Sequence, residues 1–132
     1  MPRSADIIVC LSHSGTSEDE SKSEDEIHAK KVPDLDVIIS GHTHTKLEEP
    51  IVHGDTYIVS AGEYGKYLGA LSLEQKADGR WGMKEYRLIP IETDIAENAA
   101  TQEEINSFMA TVDSDFWHSL GLRENRYLRK MM

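Results

Sequence analysis

The sequence is poor in several features that mark particular classes of protein. It has one cysteine, Cys10, and therefore cannot form a disulfide within the chain. No apolar run approaches the roughly 20 residues that a helix needs to cross a bilayer, so we expect no membrane span. Basic residues number 14 against 24 acidic ones, giving a net charge of -10. This balance argues against a nucleic-acid polymer as partner.

The composition is nevertheless that of a folded domain. The chain has 132 residues, of which 39% are hydrophobic, so it is long enough to bury a core but has little surplus. A small anionic substrate is compatible with the negative charge, because bound metal ions reverse the local field.

The first half of the sequence predicts a βαβ unit. Residues 6–11 and 36–40 are short, β-branched apolar runs, which are typical of parallel strands buried on both faces. Between them, Ser23 and Glu26 have the spacing of a capping box, and the helix that they begin is expected to end near Val32. The two strands should therefore lie parallel in one sheet.

The second half predicts antiparallel sheet. Residues 56–61, 67–75 and 81–91 have strand patterns, and Asp78-Gly79 is a strong hairpin signal between the last two. Residues 94–100 are expected to form a linker. A helix should follow, with Thr101 and Glu104 as its capping box and Gly121 just past its end. Its predicted apolar face is Ile105, Phe108, Met109, Val112 and Phe116.

Three histidines follow the two predicted parallel strands. His13 comes after the first strand, and His42 and His44 come after the second. Ligands of open α/β sheets gather at the carboxyl ends of the strands, so we predict that these imidazoles bind metal. The spacing of His42 and His44 suits two metal ions roughly 3.5–4 Å apart. A lone histidine at a strand end is usually structural or solvated, but three at neighbouring ends favour a metal site.

The other titratable and aromatic residues predict less. His28 is expected on a solvated helix surface, His53 exposed before a turn, and His118 near the end of the last helix. Cys10 is expected in the core, like most thiols that lie within apolar runs.

Two segments resemble a known family. Leu11-Ser12-His13-Ser14-Gly15, followed by Asp-Val-Ile-Ile-Ser-Gly-His-Thr-His-Thr at residues 36–45, resembles the calcineurin-like metallophosphoesterases. Ala-Gly-Glu-Tyr-Gly-Lys-Tyr-Leu-Gly at residues 61–69 is similar to the segment that follows in the branch of 5′-nucleotidases and 2′,3′-cyclic-nucleotide phosphodiesterases. The resemblance covers about residues 5–92.

The resemblance implies an α/β fold, an α/β/β/α sandwich with two divalent metal ions such as Zn, Mn or Fe at the sheet edge. His13 and His42 would bind one ion and His44 the other. The implied reaction is hydrolysis of a phosphate ester, a nucleotide in this branch, by metal-activated water in nucleotide catabolism. An extracytoplasmic location, periplasmic or at the cell surface, is implied in the same way.

The sequence also departs from the family pattern. The family's Asp-x-His motif, bridging Asp and Asn-His-Asp or Asn-His-Glu motif do not occur. We therefore expect residues 1–93 to be the C-terminal half of the catalytic domain, partnered by an upstream half, and residues 94–132 to be a linker and helical extension. No catalytic or substrate-binding residue is assigned, and an exposed sheet edge predicts self-association. The alternatives are a non-catalytic metal-binding or interaction fragment and a metallophosphoesterase with a non-nucleotide substrate.

Overall fold

The computed structural model describes residues 5–112. The chain divides into two units, Met1–Thr93 and Asp94–Met132. The described residues of the first unit form two β-sheets and one α-helix, and those of the second form one α-helix.

The first sheet contains the βαβ unit that the sequence predicts. Its strands are β1 (Val9–Ser12), β2 (Val37–Ser40), β3 (Ile51–His53) and β4 (Thr56–Val59), in the order β1-β2-β4-β3. The parallel pairs are β1 with β2 and β2 with β4, whereas β3 pairs antiparallel with β4. The prediction of a wholly antiparallel second half is therefore wrong for β4. Strand β3 was not predicted, because three residues are too few to show a strand pattern.

Helix α1 (Glu24–Lys31) follows a short 3-10 helix, Glu20–Lys22, and begins after Ser23 as predicted. The capping box itself is not formed, because the Ser23 side chain makes no capping hydrogen bond. Glu26 instead contacts Nε2 of His53 at 2.7 Å. The expectation of an exposed His53 is accordingly wrong, since its side chain is only 19% exposed. The tertiary fold places His53 within hydrogen-bond distance of the buried Glu26 carboxylate, which therefore does not return to the backbone of Ser23.

The second sheet is the predicted hairpin of β5 (Tyr67–Gln75) and β6 (Trp81–Pro90). Gly79 lies in its turn with a φ of 84°, a left-handed conformation that glycine adopts at no steric cost. Side chains of β6 attach the hairpin to the rest of the unit. The Tyr86 hydroxyl donates to the carbonyl oxygens of Leu47 at 3.0 Å and Ser60 at 3.3 Å.

The two faces of the first sheet pack against different partners. Ile38 and Ile58 are fully buried and form a core with Ala29 of α1, against which Cys10 packs half-buried. Side chains on the opposite face and residues of the hairpin line a cavity of about 420 Å³. This alternation follows from the two-residue period of a strand. The described layers are thus helix, sheet and sheet, an α/β arrangement of the expected type.

The second unit contributes α2 (Ala99–Thr111). Its N-cap is Asn98, whose side-chain oxygen accepts from the backbone N–H of Thr101 at 3.1 Å. The predicted capping box at Thr101 is therefore wrong, because asparagine caps a helix as well as threonine does and stands three residues earlier. The predicted places of Phe116, His118 and Gly121 lie outside the described residues. Neither described helix combines the length and apolar character required to cross a bilayer.

Candidate metal centre

The ends of β1 and β2 bring two of the three predicted histidines together. Ser12 and Ser40 are partners in the parallel register, so the chain leaves both strands at the same edge of the sheet. His13 follows Ser12 directly, and His42 comes two residues after Ser40. The ring centroids of His13 and His42 are 5.1 Å apart, with their planes inclined at 60°. Both side chains belong to exposed residues, so solutes can reach them.

Two glycines permit the close approach of the loops that carry these histidines. A Cβ atom on Gly41 would lie 3.2 Å from Nδ1 of His13. Gly15 has a φ of +89°, and a Cβ atom there would lie 2.5 Å from Cγ2 of Thr43, a distance that excludes any side chain without movement. Gly15 is therefore a position where only glycine fits without movement, whereas a side chain at Gly41 would require the His13 ring to shift by a small distance.

His42 and His44 have left-handed backbone conformations, with φ of 71° and 56°. This region costs a residue other than glycine roughly 1–2 kcal/mol. The backbone N–H of Thr43, between them, donates to the Gly41 carbonyl at 2.9 Å. Strain of this kind persists where the surrounding structure enforces it, and it clusters at ligand clamps and active sites.

His44 is held by Glu63, a residue that the sequence did not single out. Nδ1 of His44 lies 2.9 Å from Oε2 of Glu63, while the His44 side chain remains 52% exposed. Oε1 of Glu63 accepts a hydrogen bond from Nζ of Lys66 at 2.7 Å. The Lys66 ammonium, and to a lesser degree His44, lowers the pKa of the Glu63 carboxyl, and Glu63 in turn raises the pKa of Lys66. The sequence signal that could have identified Glu63 was its place within the motif at residues 61–69.

The segment that carries Glu63 is strongly curved. Gly62, Tyr64 and Gly65 all have positive φ, at 83°, 52° and 66°. The turn places the Tyr64 ring edge-on to His44, with centroids 5.5 Å apart. A carboxylate that binds one imidazole nitrogen fixes the ring's orientation and leaves Nε2 as its other coordinating atom.

The donor chemistry of these three side chains fits a divalent metal, because neutral imidazole is a common ligand for Zn, Fe, Ni and Cu. Their donor atoms do not converge on one point, however. Among residues 5–112, the set of three candidate ligands with donor atoms within 4.8 Å of one another is Glu20, Glu26 and His53. That set is accounted for by charge pairing, since His53 bonds Glu26 and Lys30 forms a salt bridge with Glu20.

Comparison with known proteins places the chain among phosphoesterases. No family model matches it. It is 41% identical over 69 residues to an uncharacterized metallophosphoesterase of Bacillus subtilis, YunD, covering 52% of this chain and 14% of YunD. It is 31% identical over 132 residues to the 5′-nucleotidase of Rattus norvegicus, covering 86% of this chain and 22% of the relative.

A solved structure extends the likeness to the fold. The sulfate thiohydrolase SoxB of Thermus thermophilus superposes with a TM-score of 0.58 at 27% identity, covering 86% of this chain and 19% of SoxB. The chain thus spans less than a quarter of the length of each of these proteins.

Proposed function

This chain belongs to the family of metallophosphoesterases that includes the 5′-nucleotidases, and we propose that it forms part of a metal centre that hydrolyses phosphate esters, nucleotides among them. The observation that carries the proposal is the cluster of exposed histidines at the carboxyl ends of β1 and β2. His13 and His42 lie with their rings 5.1 Å apart, and His42 and His44 have strained backbones.

The residues have distinct parts in this proposal. His13 and His42 would hold one divalent ion and His44 a second, with Glu63 fixing the ring of His44. The bound ions would supply an activated water and neutralise charge on the phosphoryl oxygens. Lys66, whose ammonium is held by Glu63 at 2.7 Å, would add positive charge beside the site. We also propose an extracytoplasmic location, by analogy with the family.

We propose further that a second polypeptide segment, the upstream half of the domain, completes the centre along β1. In the described residues β1 is an edge strand, and its Leu11 is 80% exposed. Val9 and Ile39 line the cavity of about 420 Å³ and are each 46% exposed, so this apolar face of the sheet is open to solvent. An added strand would pair with β1, fill this cavity and supply the carboxylate ligands. The same open edge supports self-association of the isolated chain.

A non-nucleotide substrate is a second candidate, because SoxB is a sulfate thiohydrolase. A panel of esters separates the two candidates when assayed on the chain together with its completing segment. Faster hydrolysis of 5′-AMP than of glycerol phosphate and aryl sulfates supports the nucleotide. Faster hydrolysis of glycerol phosphate or of an aryl sulfate contradicts a nucleotide substrate.

The test of the metal centre is titration of the purified chain with Zn²⁺ and Mn²⁺ by calorimetry, with phosphoesterase activity measured on the same sample. We expect binding that is lost in the double variant His42→Ala/His44→Ala. The matched control is His118→Ala, which removes a histidine that has no part in the proposed centre and should leave binding unchanged.

Each outcome has a definite meaning. Binding without turnover supports a partial centre that needs the second segment. Binding with turnover supports completion across a second copy of the chain. Absence of binding, or binding that survives the double variant, overturns the metal centre and favours a non-catalytic interaction module.

A further inference from the structure

Asp25 of α1 is a fully buried carboxylate that lies between the two strand ends of the candidate centre. Its residue exposure is 0%. Oδ1 accepts from the Ser12 hydroxyl at 2.5 Å, and Oδ2 accepts from the Ser40 hydroxyl at 2.5 Å and from the backbone N–H of Gly15 at 3.1 Å. We propose that Asp25 is a positioning residue that sets the separation and orientation of His13 and His42, an inference that rests on the proposed function.

The positions of its partners carry the inference. Ser12 and Ser40 face each other in the β1–β2 register, and each stands one or two residues before a histidine of the centre. One carboxylate therefore fastens both strand ends at the point where the chain turns toward the site. The loop after His13 is held as well, because the backbone N–H of Asp25 donates to the Gly15 carbonyl at 3.1 Å.

Core stability alone is a weak reason for a charge at this place. Removing a carboxylate from water costs several kcal/mol, and apolar side chains of similar volume are often as stabilising as a buried charged group. Three donors converging on one carboxylate form charge-assisted hydrogen bonds, which are short and directional. Such a network fixes geometry more than it adds free energy, which is what two histidines on strained, exposed loops require.

The same pair of strands provides a matched control at its other end. Asp36 is also buried, at 4% exposure, and its Oδ2 accepts from the backbone N–H of Ile8 at 2.7 Å. It thus links the beginnings of β1 and β2 as Asp25 links their ends. Asp25→Asn and Asp36→Asn make the same chemical change at opposite ends of the strands, and only the first is beside the histidines.

The experiment compares these two variants in the full 132-residue chain. Thermal melts report stability, calorimetry reports Zn²⁺ affinity well below the melting temperature, and NMR of the metal-free protein reports the ring resonances of His13 and His42. We expect both variants to lose stability. Only Asp25→Asn should shift the histidine resonances and weaken Zn²⁺ binding. We expect a loss of about 10-fold, the lower end of the range for groups bonded directly to a metal ligand, because Asp25 acts on the histidines through the strand ends.

Equal Zn²⁺ affinities and unshifted histidine resonances in Asp25→Asn would overturn the positioning role. Should Asp25→Asn fail to fold, Ser40→Ala removes one hydrogen bond and leaves the carboxylate in place, and the same two readouts decide. If the wild-type chain binds no Zn²⁺, the proposed function fails, whereas the ring resonances still test whether Asp25 positions the histidines.

Discussion

Substitution of Gly15 by alanine tests the interlocked loops of the candidate centre. The backbone of Gly15 has a φ of +89°, and the new Cβ atom would lie 2.5 Å from Cγ2 of Thr43. Two costs therefore combine at this residue. The left-handed backbone should cost roughly 1–2 kcal/mol, and the clash, as overpacking in a close-packed region, about 1–3 kcal/mol.

The chain offers a control that separates the two costs. Gly79 has a φ of +84°, and a Cβ atom there would meet nothing within 4 Å. Gly79→Ala therefore has the backbone cost alone, together with the same gain from a less flexible unfolded chain. We expect Gly15→Ala to lower the free energy of unfolding by about 1–3 kcal/mol more than Gly79→Ala.

Urea denaturation followed by circular dichroism measures both variants. Thr43→Ser, which removes Cγ2 but keeps the hydroxyl that accepts from the Thr16 N–H at 3.2 Å, should recover part of the excess loss in Gly15→Ala, because Oγ1 and Cβ of residue 43 stay 3.0 and 3.2 Å from the new Cβ atom. Equal losses for Gly15→Ala and Gly79→Ala, or no recovery with Thr43→Ser, would refute the steric argument.

Two further predictions concern hydrogen bonds that join distant segments. Tyr86→Phe removes the donor to Leu47 and Ser60 and should lower the free energy of unfolding by about 0.5–1.5 kcal/mol in urea melts. Burial raises the pKa of the Tyr86 phenol above its ordinary value of 10.0. The contribution of Tyr86 to the free energy of unfolding is therefore present below pH 10.0 and is lost as the pH rises through the folded-state pKa. Melting curves recorded at increasing alkaline pH should show this loss in wild type and less of it in Tyr86→Phe. His53→Ala leaves the buried carboxylate of Glu26 without its hydrogen-bond partner and should cost roughly 1–3 kcal/mol, whereas adding Glu26→Leu should restore most of that loss. An unchanged melting temperature in His53→Ala would contradict this.

Local signals in the sequence were sufficient for the regular elements. The Asp78-Gly79 turn predicted the hairpin because its left-handed geometry depends on the residues of the turn itself. The apolar runs of β1 and β2, with a helix between them, predicted a parallel pair because a connection of that length and type has few other solutions. The place of His13 and His42 followed from the same topology, and their role as metal ligands stays a prediction.

The errors arose where a side chain found its partner far away along the chain. Ser23 and Glu26 have capping-box spacing, yet Glu26 bonds His53, 27 residues away. Strand β3 is only three residues long and is a strand because it pairs with β4, so its own residues do not indicate it. At α2 the competition was local instead, because Asn98 and Thr101 are both good N-cap residues and the sequence does not rank them.

The sequence by itself determined the α/β class, the strand ends that carry His13, His42 and His44, and the family resemblance, because each depends on neighbours in the chain or on short motifs. Only the tertiary structure decided that Asp25 joins the ends of β1 and β2 and that Glu63 holds His44. Those contacts depend on which carboxylate lies nearest to which partner after the chain has packed, and the hydrophobic periodicity of the sequence does not determine that.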